Sequence, residues 1–172
     1  MALFTRRDSP PPELLAALPK GERVLSWGDV ESGGAVLATP AGLWWPNGDG
    51  QRLIGWQYVD KAVWRDGVLT VIEAEVSDDL LLVERPPVAA ELSQPRDLPP
   101  TVRKRVEANV VRSELHPVTG GVARLVARRV PGRDGIVWWA RLEAGARDSE
   151  EVRADVRARL AALRATWSDG LG

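Results

Sequence analysis

The segment GLWWPN at 42–47, echoed by IVWWA at 136–140, decides how this chain is read. Adjacent side chains of a strand point to opposite faces of its sheet. Each tryptophan pair therefore sets one large aromatic on either side of extended backbone, and both sides need a cover. Tryptophan occurs 8 times in 172 residues, against one tyrosine and one phenylalanine, so indoles supply much of the core's bulk.

Strand and turn signals spread outward from the first pair. Upstream lie ERVLSWGDV (22–30), the turn ESGG (31–34) and the short apolar run AVLAT (35–39). Downstream, NGDG (47–50) marks a tight turn, because asparagine and glycine tolerate positive φ, and QRLIGW (51–56) resumes the sheet. In WQYVDKAVW (56–64), Trp56, Val59 and Ala62 recur every three residues, which predicts a single helical turn or corner between two strands. RDG (65–67) and SDD (77–79) are turns that flank the alternating, β-branched VLTVIEAEV (68–76), and LLLVE (80–84) closes the series.

Three helices are predicted around these strands. PPELLAALPKG (11–21) has a proline in its first turn and Pro19 and Gly21 at its end. TVRKRVEANVVRSEL (101–115) places Val102, Val106 and Val110 on one face, with Asp97 or Thr101 as a cap and HPVTGG (116–121) as a stop. DSEEVRADVRARLAALRATW (148–167) opens on a capping-box pattern, Asp148 to Glu151, and carries the stripe Val152, Val156, Leu160, Leu163 and Trp167. Before the last helix, VARLVARRV (122–130) and GIVWWARLEA (135–144) predict a hairpin around PGRDG (131–135). RPPVAAELSQPRDLPP (85–100) holds five prolines and predicts a linker or external crossing with little regular structure.

The expected fold is α+β: a mainly antiparallel, strongly bent sheet with an extra helix and hairpin and a C-terminal amphipathic capping helix. A loose tail is expected over 1–11 and one domain over 12–168. That domain divides into a first β block (12–85), a proline-rich crossing (86–100) and a helix–hairpin–helix block (101–168).

The stretches GERVLSW, VLATPAGLWW, RLIGWQYVDKAVW and GVLTV within 21–84 resemble the bacterial pleckstrin-homology-like domains. The resemblance implies a bent antiparallel roll closed at one end by the last helix. It departs from the family pattern in its second half, where a helix and a hairpin precede the terminal helix. Phosphoinositide-binding members carry lysines and arginines on the first strands and the loop joining them. Here that loop is GDVESGG, which is acidic, so phosphoinositide binding is not expected.

Composition excludes several chemistries. No cysteine means no disulfide, thiolate cluster or cysteine nucleophile. The formal net charge of −1 gives no global pull toward nucleic acid or anionic membrane. The N-terminal arginines are followed by no apolar stretch, and no run is long enough to span a bilayer, so the chain reads as cytoplasmic without a transmembrane segment. His116 is the only histidine and precedes Pro117 in an expected turn, where it reads as a helix-end or surface residue. Asp78 and Asp79 read as turn residues, and Glu73 and Glu75 as the solvent side of an alternating strand. The serines lack a nucleophile elbow, and ESGGA, NGDG and TGGV match neither a P-loop nor a dinucleotide fingerprint. No cofactor, metal site or catalytic set is implied.

Two constellations carry functional expectations. Trp44, Trp45, Trp138 and Trp139 are candidate interface residues: one of each pair belongs to the core, and the other is covered by the 101–115 helix, by the 86–100 crossing or by another molecule. This favours a non-catalytic interaction module with a protein partner, including a homodimer. The basic clusters VRKRV (102–106) and ARRVPGR (127–133) are the alternative. If helix and hairpin lie side by side, Arg103, Arg105, Arg128 and Arg129, with Arg133 at the hairpin tip, would form a strip for an anionic ligand or nucleic acid. Otherwise they are a solvated face paired to Glu107, Glu114 or Asp134.

Overall fold

The computed structural model describes residues 8–169 and is an α+β protein with 3 helices and one bent, unclosed, mostly antiparallel sheet of 11 strands. Residues 1–7 of the expected tail lie outside the described residues.

A long hairpin forms the spine. Its first arm is β6 (Val68–Ser77), and its second is β7 (Leu81–Glu84) continued by β8 (Val88–Gln94). β7 pairs with the end of β6 and β8 with its beginning, so Arg85, Pro86 and Pro87 merely interrupt one bent strand. The proline-rich stretch is thus not a crossing of little regular structure. Between Pro87 and Pro95, Ala90 and Leu92 are buried at alternate positions, and β8 sits inside the sheet between β6 and β1 (Ser26–Val30). Prolines stand at the strand's margins, where no ladder hydrogen bond is lost.

Each part of the spine carries a meander. Against β8 lie β1, β2 (Ala35–Ala38), β3 (Gly42–Asn47) and β4 (Gly50–Gly55), in that order outward. Gly42 faces Gly55 across β3 and β4, where a Cβ on Gly42 would meet the Ile54 carbonyl oxygen at 2.1 Å. That close approach admits only glycine. A 3-10 turn (Trp56–Tyr58) follows at the expected corner and leads into β5 (Val59–Arg65), which pairs β6 on the side opposite the β7–β8 arm. Against β7 lie β11 (Ile136–Leu142), β10 (Gly121–Arg129) and β9 (Val110–Val118). Only Ala140 and Leu81 pair across the parallel β7–β11 junction.

The helices close the apolar faces. The short α1 (Pro12–Ala17) packs through Leu14 on the outer face of the first meander. α2 (Leu98–Asn109) buries Leu98 and Val102 against that meander's inner face. The helix expected over 101–115 therefore starts earlier and stops at Asn109. Residues 110–118 are edge strand, and His116 lies in β9 rather than in a turn. α3 (Glu150–Asp169) buries Val152, Val156, Leu160 and Leu163 on the second meander, with Trp167 half-buried beside them. Each such aliphatic contributes about 1.5–3 kcal/mol. Its cap is Ser149, whose Oγ accepts from the Val152 N–H at 3.2 Å. Asp148, the expected cap, instead accepts from Arg153.

Candidate functional site

The four paired tryptophans point to opposite faces as expected, and the chain covers both faces itself. Trp45 is buried with Leu43 and Ile54 beneath α2, and Trp44 packs with Trp27, Leu37 and Leu14 beneath α1. Trp44 Nε1 donates to Thr39 Oγ1 at 3.1 Å. Trp138 lies under α3. Trp139 faces the spine, stacked on Tyr58 with ring centroids 5.9 Å apart, and its Nε1 donates to Asp79 Oδ1 at 3.4 Å. None of the four offers a free aromatic face. α1 and the spine, which the sequence did not nominate as covers, do this work for Trp44 and Trp139.

The indole that does stand open is Trp64, 40% exposed near the end of β5. It lines a groove of ≈ 660 Å3 between β5 and α2, with Ala62, Pro95, Pro99 and Val106. The alternation explains its position. Ala62 and Trp64 share the inner face with Leu69 and Val71 of β6, but Trp64 lies at the rim, beyond the reach of α2's buried residues. Arg96 closes the near end of the groove: its guanidinium lies 3.5 Å above the Trp27 ring and donates to Asp29 and Asp8. Arg103 is exposed on the groove's flank and paired with Glu107 one helical turn on, at 2.9 Å. Burial is the largest single influence on Arg96 and opposes its charge, but the hydrogen bonds and charges of Asp8 and Asp29 together outweigh it and hold the guanidinium more firmly protonated than usual. For Arg103 the hydrogen bond to Glu107 does the same against a smaller burial penalty.

The structure separates the four nominated arginines. Arg128 is not available to a ligand. Its side chain is 5% exposed, and it donates to the carbonyls of Gln57 and Val59 at 3.0 Å each and to Asp60 at 3.0 Å. Burial pulls its pKa below the ordinary guanidinium value, with Asp60 opposing. Asp60 also accepts from Arg141 at 2.6 Å, so one buried carboxylate joins β5 to both β10 and β11. Arg105 and Arg129 do come together: with Arg133 and Asp134 they line a second groove, ≈ 330 Å3, between the last turns of α2 and the β10–β11 hairpin tip.

The residues weighed for acid–base or metal chemistry have structural employment. Glu73 is not on the solvent side. Arg52 donates to it at 2.8 Å, and Arg85 lies 3.9 Å away. Glu75 is exposed. Asp78 and Asp79 form a left-handed turn, with φ of 53° and 51°, and Asp78 pairs with Arg153. His116 Nε2 lies 3.2 Å from Asp155 of α3. Among the described residues, no three His, Asp or Glu side chains gather as a metal site would require, and no helix is long and apolar enough to cross a membrane.

Compared with known proteins, the chain matches no family model, no curated protein and no solved structure.

Proposed function

We propose that the chain is a non-catalytic interaction module that accepts an extended segment of a partner protein along β5. The observation that carries this reading is Trp64, left open at the mouth of an apolar groove beside a strand paired on one edge only. An unpaired edge offers main-chain donors and acceptors to an added strand, and a neighbouring pocket selects its side chains.

The pattern of β5 states what that segment should look like. Ala62 and Trp64 lie on the groove side, whereas Lys61 and Arg65 are exposed on the other face. An added strand alternates in the same way. It therefore presents apolar residues to the groove and acidic residues to Lys61 and Arg65. The same two cations oppose pairing of β5 with a second copy of itself, because like charges face each other across strands at a cost. A homodimer through β5 is thus the less favoured form of this reading. The likeness of 21–84 to pleckstrin-homology-like domains belongs to the proposal too. What supports it is a four-strand meander bent against the β5–β6 hairpin with α2 beside the opening.

Synthetic peptides test the reading directly. Fluorescence anisotropy should show binding of a labelled peptide of alternating glutamate and leucine, weakened by Trp64→Ala, by Lys61→Glu and by salt. Equal binding of a lysine–leucine peptide, or indifference to Trp64→Ala, would remove β5 as the docking strand.

A further inference from the structure

The second groove has a different chemistry and stands apart from the reading above. Arg105, Arg129 and Arg133 line it, and none of the three side chains forms an ion pair or hydrogen bond with another described residue. Local sequence explains why. Three and four residues from Arg105 along α2 stand Thr101, Val102, Ala108 and Asn109, none of them acidic, whereas Arg103 has Glu107. Arg129 faces Ile136 across the β10–β11 ladder. Asp134 is the one carboxylate in the lining, so three unpaired arginines share the groove with a single counter-charge.

Asn109 ties the two walls of the groove together. Asn109 is 6% exposed; its Nδ2 donates to the Arg129 carbonyl at 2.7 Å, and its Oδ1 has no partner. Trp56, Pro40 and Pro131 supply apolar flanks. The volume suits one small molecule rather than a polymer. A nucleic-acid backbone needs a track of cations, and here the track ends: Arg103 is paired and Arg128 is buried.

We propose that this groove binds a phosphorylated sugar, free or as the sugar-phosphate part of a nucleotide. Arginine forks match phosphate oxygens two at a time, and the three that line this groove take the anion. The sugar hydroxyls donate to Asp134, an exposed acceptor that a bare anion leaves unmet.

Isothermal titration calorimetry on the full chain tests this with ribose 5-phosphate, adenosine 5′-monophosphate, inorganic phosphate and a single-stranded oligonucleotide. Ribose 5-phosphate should bind more tightly than inorganic phosphate. Arg105→Gln and Arg133→Gln should each weaken it roughly tenfold or more, as expected for loss of a charge-assisted hydrogen bond. Arg103→Gln should leave it unchanged. Both arginines replaced for the test are without protein partners, so the variants keep the fold, and circular dichroism confirms this for each. Tighter binding of the monophosphate than of ribose 5-phosphate identifies a nucleotide, and equal binding a free sugar phosphate; both uphold the site. Inorganic phosphate binding as tightly as the sugar phosphate, the oligonucleotide binding more tightly than either, or no binding by any of the four overturns it.

Discussion

The two tryptophan pairs pose the same problem and are solved differently. At 44–45 one indole goes beneath α2, and the other beneath a six-residue helix that leaves it half-buried. At 138–139 one indole goes beneath the twenty-residue α3, and the other is sealed against the spine by Tyr58, Leu82 and Val126. The lesson is that a two-sided aromatic strand does not need a partner molecule. It needs either two helices or one helix and a fold of its own sheet. The second solution is the tighter, and its components are spread more widely along the chain.

The largest effects should come where the second solution is broken. Trp139→Ala removes the stacked indole between meander and spine and should cost about 3–5 kcal/mol of stability in urea denaturation. Trp44→Ala, under its short helix, should cost about 1–2 kcal/mol, because Trp44 is only half-buried and less of its surface is removed from water. Equal losses at the two sites would abolish the distinction drawn between them.

Asp60 offers a similar contrast in charge. Asp60→Ala leaves Arg128 buried without a counter-ion and should cost about 3–5 kcal/mol. In the first half, Asp29 pairs with Arg96 at 2.9 Å near the surface, and Asp29→Ala should cost no more than about 1 kcal/mol. Asp60→Ala unfolding at the same denaturant concentration as Asp29→Ala would show that the buried triad holds nothing together.

What the sequence disclosed divides along the same line. Local patterns were readable: the alternation of 68–76, the corner at 56–58, the stripe of α3 and the opposed indoles all follow from spacings of two or three to four residues. Patterns that compete were misread. The valines at 102, 106 and 110 suit a helical face, but a spacing of four is also twice the strand period, and the chain turns to strand at Val110. β9 gave no strand signal, because the side chains it turns toward α3 are Glu114 and His116, which pair with Arg159 and Asp155. In β8 the flanking prolines outweighed the alternation of Ala90 and Leu92. For the site, the pairing of Arg103 was legible from Glu107 one turn on. The burial of Arg128 was not, since Asp60 lies 68 residues away. Trp64 carried a signal of a kind: it continues the Ala62 alternation at a strand's end, where the core runs out.

Helix capping sharpens the comparison at smaller amplitude. Ser149→Ala removes the side-chain cap of α3 and should cost about 1 kcal/mol. Asp97 occupies the N-cap position of α2 but makes no side-chain cap hydrogen bond, so Asp97→Ala should change stability by no more than about 0.5 kcal/mol. Thermal unfolding of the two variants separates these outcomes, and a larger loss at Asp97 than at Ser149 would contradict the capping geometry.

Acid should distinguish the halves most gently. Two carboxylates held below their ordinary range, Glu143 and Asp148, flank the link from β11 to α3. A hydrogen bond from Arg124 lowers Glu143, and one from Arg153 lowers Asp148. Hydrogen bonds to Asp148, and secondarily to Asp78, raise Arg153 in turn. A carboxyl whose pKa is lower folded than unfolded adds stability that is complete above its unfolded value and disappears as pH falls through its folded value. The stabilisation should therefore begin to fade below about pH 4, the ordinary carboxylate range. Both groups are partly open to water, so the effect is local. Hydrogen exchange between pH 5 and pH 3, corrected for intrinsic rates, should rise over 143–149 while β1–β4 keeps its protection. In a Glu143→Gln, Asp148→Asn double variant that acid-dependent rise should shrink. If it persists undiminished, the arginine contacts at 124 and 153 are not what ties the terminal helix to its meander.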